Sequence, residues 1–500
     1  MEDRRDSPER MWRGIRAGEA AGVLLFGLPS PTAAAPCEAP RHARRRARTR
    51  RQMEVSQMKV RLAPVYFEEI NDRERGELSE QMERLEAMYG DVAEFLPMTT
   101  VGSALPEGAD AILFPQMIFA AFRHDDEMKA YDLPMVVLTS RFGTVEMWDW
   151  EIITYLRDLG LTVFSPYSIE MGKTVLRALA ARRALKSGAR FLMFQDTPGE
   201  GMQANIFKKF YWWENSSTET MEKVFGCKLI YRSWKACGDR ARQISDDEAR
   251  RVSADWDVNM EGVCEEAYLR AVKIYIAVKE VIDEIGGVEG VGSNCLNESF
   301  NCDTTPCLAW NMLFERDNII WACEGDTLTM LSTFVIYRSI EKPIMMTNLY
   351  PFLVGMAALA HEKIDKFPDI DDPDNHALGV HCGYFGFVPR KFCSEWTLRP
   401  KVLEIVNDKA CMVDCRLPEG PVTLAKIYPG FKKLSIIRAE IEKYVQYPGS
   451  DCRNGALIRY ADGHRVMDNL CSHHSMIISG DVAPQLRQVA KVFGFEVTEI

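Results

Sequence analysis

Apolar positions follow two alternating rhythms from Met58 to about Gly188. Val60 to Phe67, Glu94 to Met98, Ala111 to Phe114, Met135 to Thr139 and Leu161 to Phe164 are short runs with strand character. Between them, Arg73 to Tyr89, Trp148 to Leu159 and Met171 to Leu185 repeat their apolar residues at helical spacing. Such alternation predicts a mostly parallel sheet with helices on both faces. A second α/β unit is expected from Ala189. It comprises a strand at Phe191 to Phe194 leading into the loop Gln195 to Gly201, a strand near Lys228 to Tyr231, a helix from Val263 to Ile285, and a strand near Gly290 to Ser293. After Asp372 the pattern changes to β-branched runs with polar turns: Gly420 to Leu424, Leu434 to Ile437, Ala456 to Tyr460 and Met476 to Ile478. These predict a small antiparallel barrel closed by the helix Ala483 to Val492. The expected fold class is therefore α/β: two doubly wound, Rossmann-like parallel-sheet domains at 58–188 and 189–345, then a C-terminal domain at 346–500 with a small antiparallel β-barrel. There is no internal repeat.

The junction Trp321-Ala322-Cys323-Glu324-Gly325-Asp326 stands out within this pattern. Ile319 to Cys323 reads as a fully buried strand, and Thr327 to Ser339 has helical period. Gly325 permits a tight turn, and Asp326 stands where an N-cap accepts the first free helical N–H groups. Glu324 has no such local duty. An acid at the carboxyl end of a buried strand lies where open α/β sheets bind ligands.

Composition narrows the possibilities. At 47% hydrophobic and 27% charged residues the chain has the make-up of an ordinary globular protein. Its longest uncharged apolar stretch after the leader, Leu349 to Ala360, is too short to span a bilayer, so no membrane partner is expected. Residues 1–57 hold 12 Arg and no Lys against 7 acids, a net +5, leaving −16 on the remainder of a chain whose total is −11. The leader fits neither a transit peptide nor a secretory signal, and reads as a disordered Arg-rich leader or an upstream extension. Its Arg41 to Arg51 run is basic enough to touch nucleic acid, but the acidic body argues against nucleic acid as a partner. The fourteen cysteines lack zinc-ribbon spacing and mostly sit in apolar runs, which suits reduced thiols in the cytoplasm. Cys295, Cys302 and Cys307 are the closest cluster.

Two nucleotide motifs fail on inspection. Gly172-Lys173-Thr174 opens a helix as a phosphate loop does, but Tyr167 occupies the place of the first glycine. Gly287, Gly290 and Gly292 follow a helix instead of preceding one. Of the eight histidines, His381 ends an apolar strand, and His473 and His474 precede another.

Cys323-Glu324-Gly325-Asp326, Leu378-Gly379-Val380-His381 and Ser472-His473-His474-Ser475 occur in an order that resembles the L-arabinose isomerases and L-fucose isomerase-like proteins. Asp303-Thr304-Thr305-Pro306-Cys307 and Gly420-Pro421-Val422-Thr423-Leu424 are similar to segments of the fucose isomerase-like branch. The resemblance spans about Lys59 to the C-terminus, with its specific motifs after Asn294. It implies a cytoplasmic isomerase that interconverts an aldose and a ketose, taking a free pentose or deoxyhexose through an enediol. It also implies Mn²⁺, or another divalent metal, held by Glu324, His381 and His474, with His473 as a one-residue alternative. The second acid of such a site is expected near Met345 to Leu349, where this chain has Asn348. An amide ligates through oxygen but takes no proton. Asp326, Glu298 or Asp303 must then substitute, or Glu324 acts without a second acid. Glu298, Asp303, Thr305 and His473 are the expected substrate-binding residues. The alternative reading is a protein of the same fold that binds sugar or metal without isomerising it. Related isomerases form rings, so a homo-oligomer, trimer or hexamer, is expected, with the aromatic cluster Tyr211, Trp212 and Trp213 as a candidate contact.

Because Met58 opens the first strand, the leader is expected to be dispensable. A chain beginning at Met58 should melt within a few degrees of the full-length protein. A large drop in melting temperature would contradict this.

Overall fold

The structure, a computed structural model, describes residues 58–67, 71–197, 215–351, 370–381, 390, 393–401, 406–446 and 454–500. The leader, the loop residues Pro198 to Gly201 and the cluster Tyr211 to Trp213 lie outside the described residues, as does the side chain of His381. The described residues belong to one compact unit, Gln52–Ile500.

Three sheets organise it. The first contains β1 (Val60–Tyr66), β2 (Ala93–Phe95), β3 (Thr99–Thr100), β4 (Ala111–Phe114), β5 (Met135–Val137) and β6 (Val163–Phe164). Its order is β2-β1-β4-β5-β6 with β3 beside β1, and every pairing is parallel. The second is also wholly parallel, with β7 (Arg190–Phe194), β8 (Lys228–Arg232), β9 (Gly290–Ser293) and β10 (Ile320–Ala322) in the order β10-β9-β7-β8. The third contains β11 (Ile344–Pro351), β12 (His376–His381), β15 (Gly420–Ile427), β16 (Lys433–Gln446), β17 (Asn454–Tyr460) and β18 (His474–Ser479). These six run antiparallel as β15-β18-β11-β12-β17-β16, and β15 pairs again with β16, so the barrel closes. β19 (Glu496–Glu499) adds to β16 in parallel. A separate hairpin, β13 (Glu395–Pro400) with β14 (Cys411–Arg416), lies between β12 and β15 in sequence.

The molecule is thus a mixed α/β protein with two parallel sheets and an antiparallel barrel. The strand expected at Glu94 to Met98 is shorter, ending at Phe95 ahead of Pro97, which has no N–H to continue a ladder, and β3 follows beyond the expected range. β13, β14 and the helix Cys307–Asp317 were not legible in the pattern. Gly290 and Gly292, which break the dinucleotide pattern, have a packing reason. A Cβ on Gly290 would stand 2.9 Å from Ile320 and Phe191, and one on Gly292 would stand 2.8 Å from Met193. The rejected phosphate loop lies inside the helix α1 (Ile169–Lys186), where Lys173 is ion-paired with Asp91 at 2.7 Å.

Four helices matter for the site. They are α1, α2 (Glu265–Glu284), α3 (Thr327–Ile340) and α4 (Ala483–Phe493). α3 is buried on every side, Tyr337 alone being only partly covered. Its buried Ser332, Thr333 and Ser339 hydroxyls donate to helix carbonyls four residues back, which lets a helix covered on every side sit in the core. It packs on α1 and α4, on β9 and β10 of the second sheet, and on β11, β15 and β18 of the barrel. Among the described residues, no helix is long and apolar enough to cross a membrane.

The carboxyl edge of the first sheet is unlike the rest of the surface. Of thirteen exposed large hydrophobic side chains among the described residues, nine leave the ends of β2, β4, β5 and β6: Met98, Met117, Phe119, Phe122, Phe142, Met147, Trp148, Trp150 and Tyr167. Their loops are held in place by buried Asp149, which accepts the Ile118 N–H at 2.9 Å and the Thr139 hydroxyl at 2.6 Å. The edge therefore presents aromatic surface to solvent, with the Arg123 and Arg141 guanidiniums over the Phe122 and Phe142 rings.

Candidate functional site

β10 ends at Ala322, and four residues turn the chain into α3. Glu324 has φ 56° and Gly325 has φ 71°, so the backbone passes twice through the left-handed region. Glycine does this freely, whereas a residue with a Cβ is destabilised by about 1–2 kcal/mol. Strain of this kind at a buried carboxylate marks a candidate functional position.

Asp326 is the N-cap of α3, as its place in the sequence predicts. Its Oδ1 accepts the Thr329 N–H at 2.7 Å. Its Oδ2 accepts three further donors: the Thr329 hydroxyl at 2.5 Å, Lys426 Nζ at 3.2 Å and His474 Nδ1 at 2.8 Å. Lys426, from β15, also bonds the Thr329 hydroxyl. All three ionisable side chains are at most 2% exposed. Burial disfavours the charge on Asp326, but Lys426, His474 and Thr329 outweigh it and hold the carboxyl well below its ordinary range. Burial would likewise depress His474, yet Glu324 and Asp326 raise it above its ordinary value.

With Nδ1 directed at Asp326, His474 turns Nε2 toward Glu324, 3.4 Å from Oε2. This is the disposition of a histidine whose far nitrogen serves a ligand while a carboxylate fixes the ring. Asn348 joins the group through sheet register, since it pairs with His474 on one side and Val380 on the other. Its Oδ1 is buried and accepts no hydrogen bond among the described residues. His473 lies against His474 with ring centroids 4.2 Å apart. Burial, and then the neighbouring His474, push its pKa down to about 3, so His473 is neutral at physiological pH. His381 ends β12, one residue beyond Val380, with its backbone paired to Asn454.

Comparison with family models finds no match. Comparison with curated proteins finds none either. Among solved structures, the chain is similar to an ABC transporter solute binding protein from Agrobacterium vitis bound with alpha-D-tagatopyranose. The identity is 12% over 47% of this chain and 76% of that one, with a TM-score of 0.13, a level that supports no argument about fold or ligand.

The remaining expected residues fall elsewhere. Glu298 is buried, but its carboxylate accepts the N–H groups of Asp196 and Thr197, the Thr197 hydroxyl and Asn294 Nδ2. It ties the end of β7 to the end of β9. Asp303 has 40% of its side chain exposed and pairs with Arg242 at 3.0 Å. Thr305 donates to the Cys411 carbonyl at 2.9 Å, anchoring β14. The bonds of these three account for packing, and none of them involves Glu324. Asp326 departs from the proton-accepting role expected as one alternative. Both of its oxygens are committed to donors, so it orients His474 and is not placed to take a proton from a substrate. Sequence reasoning missed Lys426, whose only signal is a lone charge within the apolar strand Val422 to Ile427.

The donors brought together by the fold are Glu324 and His474, and the strand register sets Asn348 opposite His474. They suit a hard or borderline divalent cation such as Mn²⁺. Among the described residues, no three His, Cys, Asp or Glu side chains form a metal-binding group. The side chain of His381, the further ligand expected from the sequence, lies outside the described residues.

The Lys426 contact is testable on stability alone. Lys426→Met leaves Asp326 buried without its cation, which should lower unfolding stability by about 3–5 kcal/mol. Adding Asp326→Asn removes the uncompensated charge and keeps the cap, so the double variant should recover most of the loss. Denaturant titration of both variants measures this, and a loss under about 1 kcal/mol in the single variant would contradict it.

Proposed function

We propose that this protein is a metal-dependent isomerase interconverting the aldose and ketose forms of a free pentose or deoxyhexose. The observation that carries the reading is the pairing of His474 with Glu324. Asp326 fixes the imidazole through Nδ1, Nε2 faces the Glu324 carboxylate, and Asn348 pairs with His474 across the neighbouring strand. Such an isomerase moves a proton between C1 and C2 through an enediol, which requires a carboxylate on the reacting face.

Mn²⁺, held by Glu324, His474 and Asn348 Oδ1 with His381, would polarise the sugar carbonyl and stabilise the enediolate. Glu324 takes the C2 proton and returns it to C1. Asp326 keeps His474 in one orientation, and Lys426 offsets the Asp326 charge, so Glu324 is the carboxylate left for chemistry. His473, neutral and adjacent, offers hydrogen bonds to sugar hydroxyls. Buried reduced thiols support a cytoplasmic setting.

Asn348 favours a second reading, a protein that binds metal and sugar without isomerising it. The two readings separate on solvent deuterium incorporation at C2, measured across a panel of aldoses and ketoses with Mn²⁺ present. An isomerase exchanges the proton, and Glu324→Gln abolishes the exchange. A binder exchanges slowly and gains rate with Asn348→Asp, which restores a proton acceptor at nearly unchanged volume. Fast exchange that survives Glu324→Gln would sink both readings.

We also propose a homo-oligomer, supported by the aromatic edge of the first sheet. Its six aromatic side chains alone expose on the order of 700 Å², beyond the largest apolar patch of a typical monomer and close to one side of a standard interface. Trp148→Glu together with Tyr167→Glu should shift the protein to smaller species in sedimentation. A native monomer at micromolar concentration would remove this proposal.

A further inference from the structure

Two thiols meet behind the candidate acid. Cys295 begins the short helix after β9, and Cys323 follows β10, the neighbouring strand. Their sulfurs are 3.2 Å apart, and both residues are at most 3% exposed. The Glu324 N–H donates to Cys295 Sγ at 3.4 Å, so the same sulfur that touches Cys323 also supports the strained residue. Of the other buried thiols nearby in sequence, Cys307 is engaged with the Thr305 hydroxyl at 3.1 Å and Cys302 with the Trp234 carbonyl at 3.5 Å.

We propose that Cys295 and Cys323 form a reversible disulfide on exposure to a peroxide, and that its formation displaces Glu324. The regulatory part rests on the reading of Glu324 as the working acid. The separation needs to close by only about 1.2 Å to reach an S–S bond. Because the Glu324 N–H points at Cys295, that sulfur is the better placed to carry negative charge and attack. Its thiolate takes one peroxide oxygen to give a sulfenic acid, and the other oxygen leaves as water. The Cys323 thiol then attacks the sulfenic sulfur and a second water leaves, so two thiols and one peroxide give one disulfide and two waters. The thiol pair is buried, with each residue at most 3% exposed. Only a small uncharged oxidant reaches it.

In the disulfide, Cys295 is drawn toward Cys323 and the Glu324 N–H loses its acceptor. The residue held at positive φ then relaxes, and its carboxylate turns away from His474. The bond acts on the turn and not on the helix cap, so α3 and the fold remain.

The test uses the full-length protein, reduced with dithiothreitol and then treated with hydrogen peroxide. Peptide mapping after alkylation should show the segments containing Cys295 and Cys323 joined and lighter by two hydrogens, and dithiothreitol should reverse this. Cys295→Ala and Cys323→Ala should each abolish the joined pair, with Cys295→Ser as a second variant should alanine destabilise the core. In the oxidised protein the Glu324 amide should exchange with solvent faster, and Mn²⁺ affinity should fall about tenfold or more. Absence of the joined pair, or a joined pair with unchanged Glu324 exchange, overturns the inference. Failure of the reduced protein to bind Mn²⁺ overturns the isomerase reading alone, and mapping with amide exchange still decides this one.

Discussion

One carboxylate oxygen connects the parts of this molecule. Oδ2 of Asp326 receives a hydroxyl from α3, an ammonium from β15 and an imidazole from β18. The last strand of the second sheet ends four residues before it, the central helix begins at it, and two barrel strands reach in to it. A buried carboxylate with an ammonium, an imidazole and a helix N-terminus around it is fully satisfied. Removing any one leaves charge without compensation in the core. The cluster is thus a fastening between the parallel sheet and the barrel before it is part of any chemistry.

That fastening divides the labour of two acids two residues apart. Asp326 is fully enclosed and occupied, whereas Glu324 stands on a strained turn with its carboxylate facing Nε2 of His474. The same imidazole touches both, through its two nitrogens. Position along the chain makes Asp326 a cap, and the geometry adds that it is enclosed among donors while Glu324 turns toward the far nitrogen of the same imidazole.

Much of this was legible beforehand, for physical reasons. The two parallel sheets follow from β-α alternation, and the barrel from β-branched runs with turn residues. Asp326 as a cap follows from glycine and acid ahead of an apolar helical repeat, and Glu324 follows from its place at a strand end. What escaped depends on register and on distant packing. Nothing local says that Asn348 sits opposite His474, since that is settled by how β11 and β18 pair. Lys426 reads locally as a solvated strand charge, and only the approach of α3 makes it a buried partner. Glu298 and Thr305 looked available because their partners, the β7 turn and the Cys411 carbonyl, lie far away in sequence.

The long reach of the Asp326 contacts also bears on how the protein folds. Its bond to Thr329 spans three residues, whereas those to Lys426 and His474 span 100 and 148. Local contacts form early, and contacts that must first close long loops form late. The cap nucleates with its helix, while the imidazole and ammonium arrive only when the barrel has closed and docked. Assembly of the site is therefore among the last events on the folding route, and a chain whose barrel is slow to close has its central helix before it has its site.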